Sequence, residues 1–135
     1  MRIFKFGGAS VKDADGVKNV ASVLKKVGHQ DTLLVISAMG KTTNSLETVI
    51  KNYFENSGEL NASIQEVRKY HNQILLDLFE DEEHDAFFAV NSLFNDLEYF
   101  IRSNKSPNYN FVYDQVVSFG EIVSTTIVSH YFNQI

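Results

Sequence analysis

Apolar positions along the chain form two short continuous runs and then a series of stretches at helical spacing. Arg2 to Phe6 is the first run, stopped by Gly7-Gly8. Thr32 to Ser37 is the second, and its unbroken apolar centre predicts a strand buried on both faces, as in a parallel sheet. Between them Val17, Val20, Val23, Leu24 and Val27 recur at helical spacing, with Gly28 as a stop. The first forty residues or so therefore read as strand–helix–strand, a crossover of right-handed sense. Beyond Asn44 the pattern is helical throughout. Leu46, Val49, Ile50, Tyr53 and Phe54 mark one helix, ending near Asn56-Ser57-Gly58. Leu60, Ile64, Val67, His71, Ile74, Leu75 and Leu78 mark a longer one. Phe87, Val90, Phe94, Leu97 and Ile101 mark a third, and a fourth is predicted from about Tyr113 to Phe132. The segment Asn104 to Asn108, which holds the single proline, Pro107, is the clearest loop.

Two strands do not make a stable sheet in water, and a parallel pair needs cover on both faces. The expectation is a partial three-layer αβα sandwich, helix-rich, in which residues 1–135 form the front part of a larger α/β domain. One apolar sheet face is then left open or covered by another copy of the chain.

Composition narrows the classes. The chain of 135 residues is 44% hydrophobic, enough for a packed core and too apolar for a disordered chain. Its net charge of -5 and lack of a basic run argue against a nucleic-acid partner. It has no cysteine, which removes disulfides, thiol nucleophiles and zinc ribbons and agrees with a cytoplasmic location. No apolar run reaches the roughly 18–20 residues of a spanning helix, and Met1-Arg2-Ile3-Phe4-Lys5 does not read as a secretory signal. The four histidines show no ligand spacing, and no protein-held metal site is predicted. His71 reads as a helix-face residue and His29, His84 and His130 as surface residues. Glu80 to Asp85 reads as a solvated acidic helix end.

Three segments carry candidate chemistry. In Lys5-Phe6-Gly7-Gly8-Ala9-Ser10 the glycines permit a sharp turn and close approach of the backbone to a ligand. Their amides can face phosphate oxygens ahead of a helix N-terminus. Lys5 sits at the carboxyl end of a strand, where α/β sheets bind ligands, and can neutralise a transferring phosphoryl group. A plain Gly-Gly turn beside a surface lysine accounts equally well for the spacing. In Ser37-Ala38-Met39-Gly40-Lys41-Thr42-Thr43-Asn44, a Walker reading fails because Val35 stands where the first glycine belongs. What remains is a hydroxyl-rich loop beside Gly7-Gly8, in which Thr42, Thr43 or Asn44 is expected to cap the next helix. In Ser118-Phe119-Gly120-Glu121-Ile122-Val123-Ser124-Thr125, helical geometry puts Glu121 within roughly 60° of Val117, Val128 and Phe132. A carboxylate in an apolar stripe needs a partner, either an internal cation or a substrate ammonium. Ser118, Ser124 and Thr125 share that sector, and Gly120 allows close approach of another element.

Together these segments resemble the aspartokinase branch of the amino-acid kinase family. Lys5-Phe6-Gly7-Gly8-Ala9-Ser10-Val11 is similar to its K-F-G-G-[ST]-S signature, with Ala9 in place of the usual hydroxyl. Val35-Ile36-Ser37-Ala38 with Thr43-Asn44 resembles its second-strand loop, and Ser118-Phe119-Gly120-Glu121-Ile122-Val123-Ser124 its S-x-G-E-x-x-S helix. The resemblance implies ATP-dependent phosphorylation of L-aspartate to 4-phospho-L-aspartate, the entry to lysine, threonine and methionine synthesis. It implies Lys5 as the catalytic cation and Lys5, Gly7, Gly8, Ser10 and Ser37 around the phosphates of ATP. Thr43 and Glu121 would hold aspartate, and Mg2+ would arrive on the nucleotide. It further implies a homo-oligomer at full length, and that residues 1–135 alone are inactive. The competing readings are another kinase of the family, acting on glutamate, acetylglutamate, carbamate or a nucleotide, and a noncatalytic helical interaction module.

Overall fold

The computed structural model describes residues 1–135. Strand β1 (Arg2–Phe6) leads through helix α1 (Ala14–Val27) to strand β2 (Thr32–Ile36). Helices α2 (Thr42–Phe54), α3 (Leu60–Leu78), α4 (Asp85–Ser103) and α5 (Tyr109–Gln134) follow. The strands pair in parallel, with Arg2 opposite Thr32 and Phe6 opposite Ile36. Asp13 caps α1 by accepting from the Gly16 amide at 2.8 Å. At the other end of that helix the Arg2 guanidinium donates to the carbonyls of Val27 (3.0 Å) and Gly28 (2.9 Å). These carbonyls have no partner within the helix, so Arg2 ties the start of β1 to the end of α1.

One core runs through the molecule. It joins Val17, Val20 and Leu24 of α1 to Leu46 and Ile50 of α2, Ile74 and Leu75 of α3, Phe94 of α4 and Val116, Val123 and Ile127 of α5. Phe4, Phe6 and Leu34 pack against it and Ile36 belongs to it, so one sheet face is covered. The other face is not. Ile3 is 64% exposed, Leu33 51% and Val35 42%. The expectation that β2 is buried on both faces is thus corrected. Its apolar run is continuous, but only the Leu34 and Ile36 side meets the helices. The layers present are the helices and the sheet, with the opposite side of the sandwich open, which agrees with the partial αβα architecture read from the sequence.

The helix boundaries bring two further corrections. Helix α5 starts at Tyr109, earlier than the apolar pattern implied, because Asn108 supplies an N-cap, accepting from the Phe111 amide at 3.0 Å. Helix α2 has Lys41 at its N-cap position with no side-chain cap, so none of Thr42, Thr43 and Asn44 caps it. Thr42 is already helical and turns its hydroxyl back to donate to the Met39 carbonyl at 2.5 Å. His84 and His130 are not plain surface residues. The His84 Nδ1 accepts from the Ala86 amide at 3.0 Å and caps α4, with its ring against Phe79 (4.4 Å) and near His130 (6.1 Å). Glu80 to Glu83 and Asp85 are exposed, as read.

Candidate functional site

The loops that leave the two strands lie against each other. The Ser37 amide donates to the Phe6 carbonyl at 3.0 Å, and the Gly40 amide to the Gly8 carbonyl at 3.0 Å. A Cβ on Gly8 would stand 2.8 Å from both the Ala38 and Gly40 carbonyl oxygens. Gly8 is therefore glycine so that the loops can touch each other. Gly7 differs, since a Cβ there meets nothing within 4 Å. The first loop folds into a tight turn, with Ser10 donating to the Gly7 carbonyl and Val11 to that of Gly8. The amides of Gly8 and Ala9 donate to no backbone carbonyl. Gly40 adopts φ 55°, the left-handed region that glycine tolerates best.

Helix α5 joins the same edge from its middle. A Cβ on Gly120 would lie 3.1–3.2 Å from side-chain atoms of Leu46, Ala38 and Thr42, so the helix backbone rests on the second loop and the start of α2. One turn later the buried Ser124 hydroxyl donates to the Ser37 carbonyl at 2.7 Å. The Gly120 close approach read from the sequence is present, and the partners are now identified.

Glu121 sits on this turn but is exposed, which corrects its expected place within an apolar stripe. The buried arc of α5 runs from Phe119 through Val112, Val123, Val116, Ile127, Gly120 and Ser124 to Val128. At about 100° per residue Glu121 falls just past the Val128 edge of that arc. Ser118 and Thr125 lie further round and are exposed as well. Glu121 forms no ion pair, so the internal-cation alternative is not what the fold uses.

Lys5 is exposed on the open sheet face, opposite Val35. Ser10 is exposed, whereas Ser37 and Thr43 are half-buried. The backbone of Ser37 is engaged on both sides, by Phe6 and by Ser124. The structure thus brings the Gly8 loop, the Ser37 loop and the Glu121 turn to one sheet edge. It shows no bond among Lys5, Thr43 and Glu121 themselves. No group of three or more histidine and acidic side chains is placed to hold a metal ion. No helix is long and apolar enough to cross a membrane.

Two residues beneath the loops were not singled out as site residues. Tyr70 and His71 of α3 contact the loop segments from behind, and Tyr70 helps line an open cleft of about 870 Å³ with Lys12, Lys41 and Lys69. His71 is fully buried, and its Nδ1 donates to the Val67 carbonyl at 2.8 Å. Burial holds its imidazole below the ordinary histidine range, outweighing the opposing effect of the Val67 bond. The Tyr70 hydroxyl is raised by burial and, secondarily, by Asp13. The apolar periodicity of α3 marked His71 as inward, but a side chain's distant partner has no sequence signature.

The arrangement defines an α/β protein with a glycine loop, a hydroxyl loop and a helix-borne carboxylate at the carboxyl edge of a parallel strand pair. Residues 1–135 match the amino acid kinase family, and the chain belongs to that family. Among curated proteins it is 29% identical over 133 residues to the bifunctional aspartokinase/homoserine dehydrogenase 2 of Escherichia coli, covering 98% of this chain and 16% of that protein. It is 29% identical over 145 residues to the chloroplastic aspartokinase 1 of Arabidopsis thaliana, covering 98% of this chain and 23% of that protein. The crystal structure of E. coli aspartokinase III in complex with aspartate and ADP superposes with a TM-score of 0.84 at 22% identity, covering 99% of this chain and 29% of that one. This last likeness establishes the fold. The chain spans less than a third of the length of each of these relatives.

Proposed function

We propose that residues 1–135 form the substrate-side, N-terminal part of the kinase domain of an ATP-dependent aspartate kinase, making 4-phospho-L-aspartate at the entry to lysine, threonine and methionine synthesis in the cytoplasm. The observation that carries the reading is the convergence of three segments, the Gly8 loop, the Ser37 loop and the Gly120–Ser124 turn, through direct contacts at one sheet edge. The similarity to aspartokinases over nearly the whole chain supports it.

The chemistry follows from the groups at this edge. The nucleophile is the side-chain carboxylate of aspartate, already ionised at neutral pH, so no general base is needed. Its oxygen forms a bond to the γ-phosphorus of ATP, the bond to the bridging oxygen breaks, and ADP leaves with that electron pair. The Lys5 ammonium offsets charge on the transferring phosphoryl group. The open side of Gly7, the free amides of Gly8 and Ala9, and the hydroxyls of Ser10 and Ser37 line the phosphates. Thr43 donates to the substrate, and the unpaired Glu121 carboxylate takes its α-ammonium. Mg2+ would be bound through the nucleotide and would supply charge shielding of the phosphates. The chain contributes positioning and charge. The groups named here meet only the phosphates and the substrate, so residues 1–135 alone are expected neither to hold ATP tightly nor to turn over.

The test uses the protein's whole reading frame and compares L-aspartate with succinate, which lacks the ammonium. The expected result is ADP formation with aspartate and at least about a hundredfold lower kcat/KM with succinate. Equal rates with both acids, or no ADP formation with aspartate, overturns the reading.

A further inference from the structure

We infer that Tyr70 and His71, neighbours on α3, are positioning residues that together set the spacing between the two ligand loops. The reading rests on the proposed kinase activity only for its kinetic consequence. Tyr70 reaches the first loop, where its hydroxyl donates to the backbone carbonyl of Lys12. The same hydroxyl touches the second loop, because a Cβ on Gly40 would collide with it. Gly40 thus gives up a side chain both for its φ of 55° and for room for Tyr70.

His71 acts on the second loop alone. With Nδ1–H committed to Val67, its Nε2 carries no proton and lies 3.4 Å from the Thr42 hydroxyl, whose own proton goes to Met39 at 2.5 Å, so His71 backs Thr42 by packing and not by a hydrogen bond. Met39, Thr42 and His71 are all essentially inaccessible to solvent, so the imidazole supports this turn as close-packed volume. The imidazole is itself held by rings. Tyr70 packs edge-on at 5.2 Å and Phe94 lies at 5.7 Å. Phe94 in turn packs on Phe119, one residue before Gly120, at 4.9 Å. One dipeptide therefore contacts the Lys12 end of the phosphate loop and the Gly40–Thr42 stretch of the substrate loop, and leads through Phe94 to the Glu121 turn.

Amide hydrogen exchange in the whole protein tests the brace whatever the reaction. In Tyr70→Phe, which keeps the ring, the amides of Val11 and Gly40 that hold the loop turns are expected to exchange about tenfold faster. The interior amides of α4 and α5 should not change. In the whole reading frame, Tyr70→Phe is expected to lower kcat about tenfold at unchanged aspartate KM, and His71→Asn to raise aspartate KM with kcat retained. Exchange unchanged at both loops, or raised uniformly across α2 to α5, overturns the proposal, as does a kinetic loss that follows thermal stability alone. If His71→Asn does not fold, Tyr70→Phe decides. If the wild-type frame makes no ADP, the kinase reading fails while the exchange comparison still decides the brace.

Discussion

The Ser124 hydroxyl donates to the carbonyl of Ser37 at 2.7 Å, joining the last helix to the end of the second strand across most of the chain. Ser124 is fully buried, so no water can replace it. Ser124→Ala leaves that contact on the Ser37 carbonyl unmade and is expected to destabilise the fold by about 1–3 kcal/mol, read by urea unfolding. Stability equal to wild type would show that the bond does not hold α5 to the sheet edge.

Gly7 and Gly8 are adjacent yet make opposite predictions. Gly8→Ala places a methyl 2.8 Å from two backbone carbonyl oxygens and must push the loops apart, at a cost of about 1–3 kcal/mol. Gly7→Ala meets open space and is expected to stay within about 0.5 kcal/mol of wild type. Thermal unfolding of the two variants side by side separates them. Equal losses would mean that the loop contact at Gly8 is not what requires glycine there.

The helices were legible because their apolar residues recur on one face, and α3 runs from Leu60 to Leu78 as its spacing implied. Their ends were less so. Asn108 and His84 act as caps through single hydrogen bonds, and histidine is not a customary capping residue. The run through Leu33 and Val35 reads as fully buried because sequence pattern reports what a strand is suited to, not what covers it. The two loops and the α5 turn at the sheet edge were recognisable as motifs. The exposure of Glu121 was not, because a residue at the border of a helical arc turns outward or inward according to what packs beside it. The bracing by Tyr70 and His71 had no local signal, since their partners lie far away in the sequence.

Burial of His71 gives a pH dependence of stability. Its folded-state value lies below the ordinary 6.5, so as pH falls through that value the unfolded chain takes up the proton first. Stability is therefore expected to be full above pH 6.5 and to decline on acidification below it. Urea midpoints at about pH 7.5 and 5.5 measure the effect, and His71→Leu should flatten the difference between them. An unchanged slope in the variant would assign the acid sensitivity to other groups.

The two sheet faces should respond differently to truncation. Leu33 is 51% exposed and Leu46 is fully buried. Leu33→Thr is expected to change stability by no more than about 0.5 kcal/mol, while Leu46→Ala should cost about 2–5 kcal/mol. A large loss from Leu33→Thr would mean that its side of the sheet is covered in solution.

The most direct test of the kinase account is steady-state kinetics of the whole reading frame carrying Lys5→Ala or Glu121→Ala. The account predicts that Lys5→Ala lowers kcat by about a hundredfold or more with aspartate KM little changed, because its ammonium meets the transferring phosphoryl group. It predicts that Glu121→Ala raises aspartate KM at least about tenfold with kcat largely kept, because its carboxylate holds the substrate ammonium. Wild-type kcat in the first variant together with wild-type KM in the second would contradict it.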